Sequence, residues 1–156
     1  QGVLHSAVEF GGFTPLALQS TKDWGHTLNV NLNAPFLLSR MLLPVLQKSQ
    51  SASIVFTSDS SARTAPAYSG AYGISKIALE GLAKILAEEL ESFKKIRVNT
   101  LIPGPVASPL RKRAYPAEET GKLPTMESLA PVYLYLFGPQ SIGVTGQAID
   151  ARTFHL

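Results

Sequence analysis

Short apolar runs alternate along this chain with long segments of helical periodicity, and that alternation constrains the fold more than any other feature. Ser53-Ile54-Val55-Phe56-Thr57 and Ile96-Arg97-Val98-Asn99-Thr100-Leu101-Ile102 read as buried strands. Gly2 to Ala7 reads as the end of a further short strand, and Gly146 to Ala151 as a last one. Between them Trp24, Leu28, Leu32, Phe36 and Leu43 recur at three- and four-residue steps, which predicts a helix from about Thr21 to Leu46. A second helix is predicted from Ala71 to Phe93, with Ile74, Ala78, Leu82, Ile85, Leu86 and Leu90 as its buried stripe. A third runs from Met126 to Phe137, capped by Thr125 and closed by Gly138-Pro139. Strand and helix in strict alternation predict an α/β fold with a parallel sheet.

Two prolines interrupt the first helix. Pro35 has no N–H for the carbonyl of Asn31, so a break is expected there, freeing backbone for water or ligand; Pro44 is a second interruption. Ala71, Gly73, Ala78, Gly81 and Ala83 make the second helix unusually small along its length, which predicts close approach of another helix. The stretch from Val106 to Pro124 is expected to be a loop with a short helix at most.

At 156 residues, 45% of them hydrophobic and 16% charged, the chain suffices for one compact domain with a core. The absence of cysteine excludes disulfides, thiol catalysis and cysteine-held metal. His5, His26 and His155 have no metal-ligand spacing, and no Gly-x-Ser-x-Gly elbow marks a hydrolase. The one basic run, Arg111-Lys112-Arg113, lacks interleaved aromatics, so with a net charge of +3 no nucleic-acid partner is expected. No run approaches the ~20 apolar residues of a membrane span, and no secretory signal is evident, which makes a cytoplasmic location the simplest expectation. The chain opens at Gln1 directly on an apolar stretch, so it is expected to be part of a longer protein.

The chemistry-bearing motif is Tyr72-Gly73-Ile74-Ser75-Lys76. Residues four apart share one helix face, so phenol and ammonium project together. A free phenol has a pKa of about 10; bringing it to about 7 takes roughly 4 kcal/mol of preferential phenolate stabilisation, which a close, desolvated cation supplies. Such a pair is suited to general acid–base work at a hydroxyl or carbonyl.

With these residues in order, the chain resembles the short-chain dehydrogenase/reductase family along essentially its whole length, and within it the bacterial YciK-like oxidoreductases. The resemblance rests on Tyr72-x-x-x-Lys76, on Asn31 within Asn29-Val30-Asn31-Leu32, on Pro103-Gly104 after Arg97-Val98-Asn99, on Ser108, and on Val144-Thr145-Gly146-Gln147. It implies a Rossmann-like doubly wound parallel sheet of which residues 1–156 form the C-terminal part, the N-terminal strands and glycine-rich phosphate loop lying upstream. It also implies an NAD(P)-dependent interconversion of a carbonyl and a secondary alcohol, with NADP slightly favoured over NAD. Tyr72 would trade the proton, Lys76 would acidify it and hold the ribose hydroxyls, and Asn31 would position a water leading from the lysine to solvent. Ser6, Ala7, Pro103, Gly104, Val106 and Ser108, together with Tyr72 and Lys76, would contact the cofactor. A small-molecule substrate and a homodimer or homotetramer paired through the two longer helices complete the implied picture.

The departures carry expectations of their own. The family serine that polarises the carbonyl stands thirteen residues before the tyrosine, where this chain has Asp59, between Ser58 and Ser60. A carboxylate repels a developing oxyanion. Either Ser58 or Ser60 is therefore expected to take the role, with Ser58 slightly ahead, or the protein is expected to be impaired. A non-catalytic relative that binds a nucleotide or a protein is the rival reading, and Ser6-Ala7-Val8, in place of the family's Asn-Ala-Gly, also motivates it. Without the upstream glycine-rich turn, residues 1–156 alone are expected not to bind dinucleotide tightly, and the first strand is expected to present an apolar edge.

Overall fold

The computed structural model of the chain describes residues 1–155. Four strands, β1 (Gly2–His5), β2 (Ala52–Thr57), β3 (Ile96–Ile102) and β4 (Ala148–Asp150), form one parallel sheet in the order β1-β2-β3-β4. Val3 pairs with Ile54, Ile54 with Val98, and Leu101 with Ile149. Helices α1 (Thr21–Leu28), α2 (Ala34–Leu46), α3 (Ser61–Thr64), α4 (Gly70–Glu89), α5 (Pro109–Ala114) and α6 (Ala130–Phe137) connect the strands.

Alternation along β2 splits the core in two. Ile54 and Phe56 pack with Leu79, Ala83 and Leu86 of α4, whereas Val55 packs with Val132 and Leu136 of α6 on the opposite face. Helices on both faces of a parallel sheet make this part of a Rossmann-like, doubly wound domain, as expected. β1 lies at an edge of the sheet, with Leu4 42% exposed.

Four local expectations are corrected. On α4 the buried stripe is Tyr72, Ser75, Lys76, Leu79, Ala83, Leu86, Ala87 and Leu90, while Ile74 and Ile85 face outward. The helix is apolar on two sides, and polar Ser75 and Lys76 occupy the side that is buried. Pro44 lies inside α2 without ending it; the Arg40 carbonyl it leaves unpaired belongs to an exposed residue. Thr125 makes no side-chain cap, and Met126–Leu129 is a 3-10 turn. α6 starts only at Ala130 because Pro131, lacking an N–H, fits the first turn of a helix and not its interior. The last strand is confined to Ala148–Asp150.

At Pro35 the expected break is a π-helical turn, Asn29–Asn33, in which the Ala34 N–H donates to the Asn29 carbonyl five residues back. The extra residue turns Asn31 inward, where it is 1% exposed.

Candidate active site

The carboxyl ends of β1, β2 and β3 open onto a cavity of about 610 Å³. Ser6 and Val8 follow β1, Ser58 and Asp59 follow β2, and Pro103, Gly104 and Val106 follow β3. Crevices at the carboxyl ends of parallel strands are where folds of this kind bind ligands. Phe10, Phe13, Leu110, Tyr115, Leu129 and Tyr133 give the cavity an apolar, aromatic wall.

Tyr72 and Lys76 both line this cavity, from the face of α4 turned to the sheet. The Lys76 Nζ lies 5.6 Å from the centroid of the Tyr72 ring and donates to the Thr57 carbonyl at 2.8 Å. An ammonium has three protons, and the one given to Thr57 is the only one engaged among the described residues. Lys76 is 3% exposed, and its burial lowers its pKa to about 8 against an upward pull from Asp59.

The phenol behaves contrary to expectation. Burial, then the negative charge of Asp59, then Tyr115, push the Tyr72 pKa up, and Lys76 does not offset them. The physical reason is that a phenolate buried beside a carboxylate loses more hydration than a distant, itself desolvated ammonium returns. In this state Tyr72 is a neutral phenol. Its ring is fixed by an edge contact with Phe10 at 5.6 Å.

Asn31 is not among the residues lining the cavity; it holds the framework behind it. Its Oδ1 accepts from the Glu9 N–H at 2.7 Å, and its Nδ2 donates to the Glu9 carbonyl at 2.8 Å and to the Ser75 Oγ at 2.9 Å. Ser75 in turn donates to the Tyr72 carbonyl at 2.7 Å. The π-helical turn thereby ties the loop after β1 to the turn of α4 that bears the tyrosine.

Ser58 lines the cavity, but its hydroxyl donates to Glu80 at 2.8 Å. Asp59 lines it too, with Oδ1 accepting from the Ser61 N–H at 2.8 Å. Of the residues predicted for the cofactor, Ser6, Pro103, Gly104, Val106 and Ser108 line the cavity, whereas Ala7 is exposed and does not. Ser108 accepts from the Arg111 N–H at 3.1 Å and so caps α5. Gly104 has φ +72°, a left-handed conformation that favours glycine, and it packs beside the flexible side chain of Arg152.

Sequence reasoning missed Glu9 and its partner. The Glu9 carboxylate accepts from Arg113 of α5 at 2.7 Å and from the Gly11 N–H at 3.0 Å, and these contacts hold its pKa below the usual carboxylate range, with the Gly11 amide foremost. Phe10, Phe13 and Tyr115 form an edge-to-face series from the phenol of Tyr72 to α5. The aromatics of Phe10-Gly11-Gly12-Phe13 were the available signal, but only the fold shows what they face.

The fold is shared with known proteins. The profile of a family described as enoyl-(acyl carrier protein) reductase matches residues 2–151. The uncharacterized oxidoreductase YciK of Escherichia coli K12 is 41% identical over 151 residues, covering 97% of this chain and 59% of that protein. A short chain dehydrogenase from Pseudomonas syringae superimposes with a TM-score of 0.94 at 46% identity, over 97% of this chain and 61% of its own. One from Shigella flexneri, complexed with NADP, gives 0.93 at 40% identity, over 97% and 62%. The chain thus spans about three fifths of the length of these relatives.

Proposed function

The chain belongs to the short-chain dehydrogenase/reductase family, and on that footing we propose that it carries the proton-transfer half of a nicotinamide-dependent oxidoreductase acting on a small molecule at a carbonyl or secondary alcohol. The observation that carries this reading is the buried Tyr72–Lys76 pair on one wall of a cavity at the carboxyl edge of the sheet. A bound nicotinamide supplies the hydride, which no side chain can.

The residues present fit such a cofactor. Among the described residues Lys76 has protons unclaimed by protein acceptors, available to vicinal hydroxyls, and the Pro103-Gly104 turn lines the same cavity. NADP is favoured because a relative at 40% identity is complexed with it. Ser6, Val106 and Ser108 are the further contacts this reading assigns from the cavity, and Ala7 is assigned through its backbone alone.

Tyr72 is the proposed proton donor. Its raised pKa keeps the phenol protonated at neutral pH, which favours the reductive direction, in which a proton must be given. Asn31 is proposed as a positioning residue, holding Glu9 and Ser75 in register with the tyrosine. Ser58 is the proposed polarising hydroxyl, which requires its proton to leave Glu80 when substrate enters. A cytoplasmic homodimer or homotetramer completes the reading: Phe36, Leu38 and Met41 of α2 and Ile77 and Ile85 of α4 expose apolar side chains on two of the longest helices.

A non-catalytic, nucleotide-binding role is the second reading, favoured by Asp59 and by the committed hydroxyl of Ser58. Fluorescence titration of the full-length gene product with NADPH and NADH, followed by a carbonyl panel, separates the two. The oxidoreductase reading expects NADPH to bind and to be consumed. NADPH bound without turnover of any carbonyl or imine, and unchanged in Asp59→Ser, would support the second.

A further inference from the structure

The segment that follows β2 offers the cavity Ser58, Asp59, Ser60 and Ser61. Ser58 gives its proton to Glu80 at 2.8 Å, Ser61 has a buried oxygen with no partner, and Ser60 is exposed. What the end of β2 presents to the cavity beside them is the carboxylate of Asp59. The Ser61 N–H fixes its Oδ1 at 2.8 Å, and no hydrogen bond engages Oδ2 among the described residues. Asp59 lines the same cavity as Tyr72 and Lys76.

Hydride addition to a neutral ketone builds negative charge on oxygen, and a carboxylate in the same cavity opposes it. A protonated C=N bond has the reverse requirement. Its positive charge is present before hydride arrives, and a carboxylate both binds it and favours its protonated, electrophilic form. The aromatic wall of Phe10, Phe13 and Tyr133 suits a flat, conjugated body behind that charge.

Resting on the oxidoreductase reading above, we propose that this site reduces an iminium or protonated cyclic imine, and that Asp59 is the residue that selects it. In the step, the substrate carbon gains a hydride with its two electrons, and the C=N π pair becomes the lone pair of a neutral amine. The reduced nicotinamide is oxidised to the pyridinium. The amine then takes a proton from solvent, and the ammonium so formed is again paired with Asp59 until it leaves.

The test uses the full-length gene product with NADPH and two substrates of matched shape, 3,4-dihydroisoquinoline and 1-tetralone. The inference expects kcat/KM at least about tenfold higher for the imine. In Asp59→Ser the imine value falls at least about tenfold and the ketone value rises. Binding gives a readout independent of turnover: the inhibition constant of 1,2,3,4-tetrahydroisoquinoline, read by displacement of NADPH-dependent fluorescence, rises at least about tenfold in Asp59→Asn, while that of 1-tetralol holds. Thermal melts confirm that both variants fold.

A wild-type protein that prefers the ketone, or an amine affinity indifferent to Asp59→Asn, overturns the inference. Ketone reduction that is lost in Tyr72→Phe, with no imine reduction, overturns it while leaving the oxidoreductase reading in place. A protein that binds no nicotinamide and reduces neither substrate overturns both.

Discussion

Glu9, in the loop after β1, and Arg113, in α5, stand 104 positions apart and meet at 2.7 Å. The same Glu9 is bonded through its backbone to Asn31, and Asn31 through Ser75 to the tyrosine-bearing turn of α4. One residue therefore links α5, whose Leu110, Arg111 and Ala114 line the cavity, to the framework that holds Tyr72.

Breaking that link is expected to affect substrate capture more than chemistry. Both side chains are partly exposed, so Glu9→Gln or Arg113→Ala should cost less than about 1 kcal/mol of stability. KM should rise about three- to tenfold with kcat changed less than about twofold. The Glu9 carboxyl has a lowered pKa in the folded chain, so the latch is present above the ordinary carboxylate value and is lost as pH falls through the depressed one. Steady-state kinetics at low and high salt check this: the KM difference between wild type and Glu9→Gln should shrink as salt screens the pair. A loss confined to kcat would count against the latch.

Lys76 is held at a cost in stability. Below pH 8 both the folded and the unfolded chain keep its proton, so the penalty of burying the charge is constant. From about 8 upward the folded chain releases the proton that the unfolded chain holds to about 10.5, so stability rises with pH across that window. Tyr72 opposes this only above pH 10, where the unfolded phenol begins to ionise. Lys76→Met should therefore be inactive yet more stable at pH 7, by about 1–3 kcal/mol after allowing for the orphaned Thr57 carbonyl. Urea melts at pH 7 and pH 9.5 should show that advantage narrowing; a variant less stable than wild type at pH 7 refutes the prediction.

The apolar faces of α2 and α4 predict self-association. Met41 is 73% exposed and Ile85 60%, on helices whose other faces are committed to the sheet. Light scattering of the full-length protein at micromolar concentration should give a dimer or tetramer, and Met41→Lys with Ile85→Lys should lower the mass. A wild-type monomer would rule out this use of the surface.

The alternation of strands and helices was legible because each element is signalled by its own residues. The break at Asn29–Asn33 was legible for the same reason, since Pro35 lacks an N–H whatever surrounds it. The joint placement of Tyr72 and Lys76 followed from helix geometry. The buried side of α4 was not readable, because Ser75 and Lys76 are polar and only their hydrogen bonds to Asn31 and Thr57 admit them to the interior. Pairing of Glu9 with Arg113 depends on the loops after β1 and β3 converging, which no local pattern encodes. The direction of the Tyr72 shift was misjudged because helical spacing reports the lysine but not the depth of burial or the nearness of Asp59.

The Tyr72 hydroxyl is the proposed proton source when a carbonyl is reduced by a bound nicotinamide. In the structure that hydroxyl accepts and donates no hydrogen bond among the described residues, and the ring is held by Phe10, so Tyr72→Phe removes the proton and little else. Single-turnover oxidation of bound NADPH by the full-length protein, using whichever carbonyl or imine it reduces, is the most direct measurement. NADPH binding is expected to be unchanged, with a rate lower by about 10²- to 10⁴-fold for a carbonyl. For an iminium, which already has its proton, a smaller loss is expected. Carbonyl reduction by Tyr72→Phe at the wild-type rate would contradict this assignment.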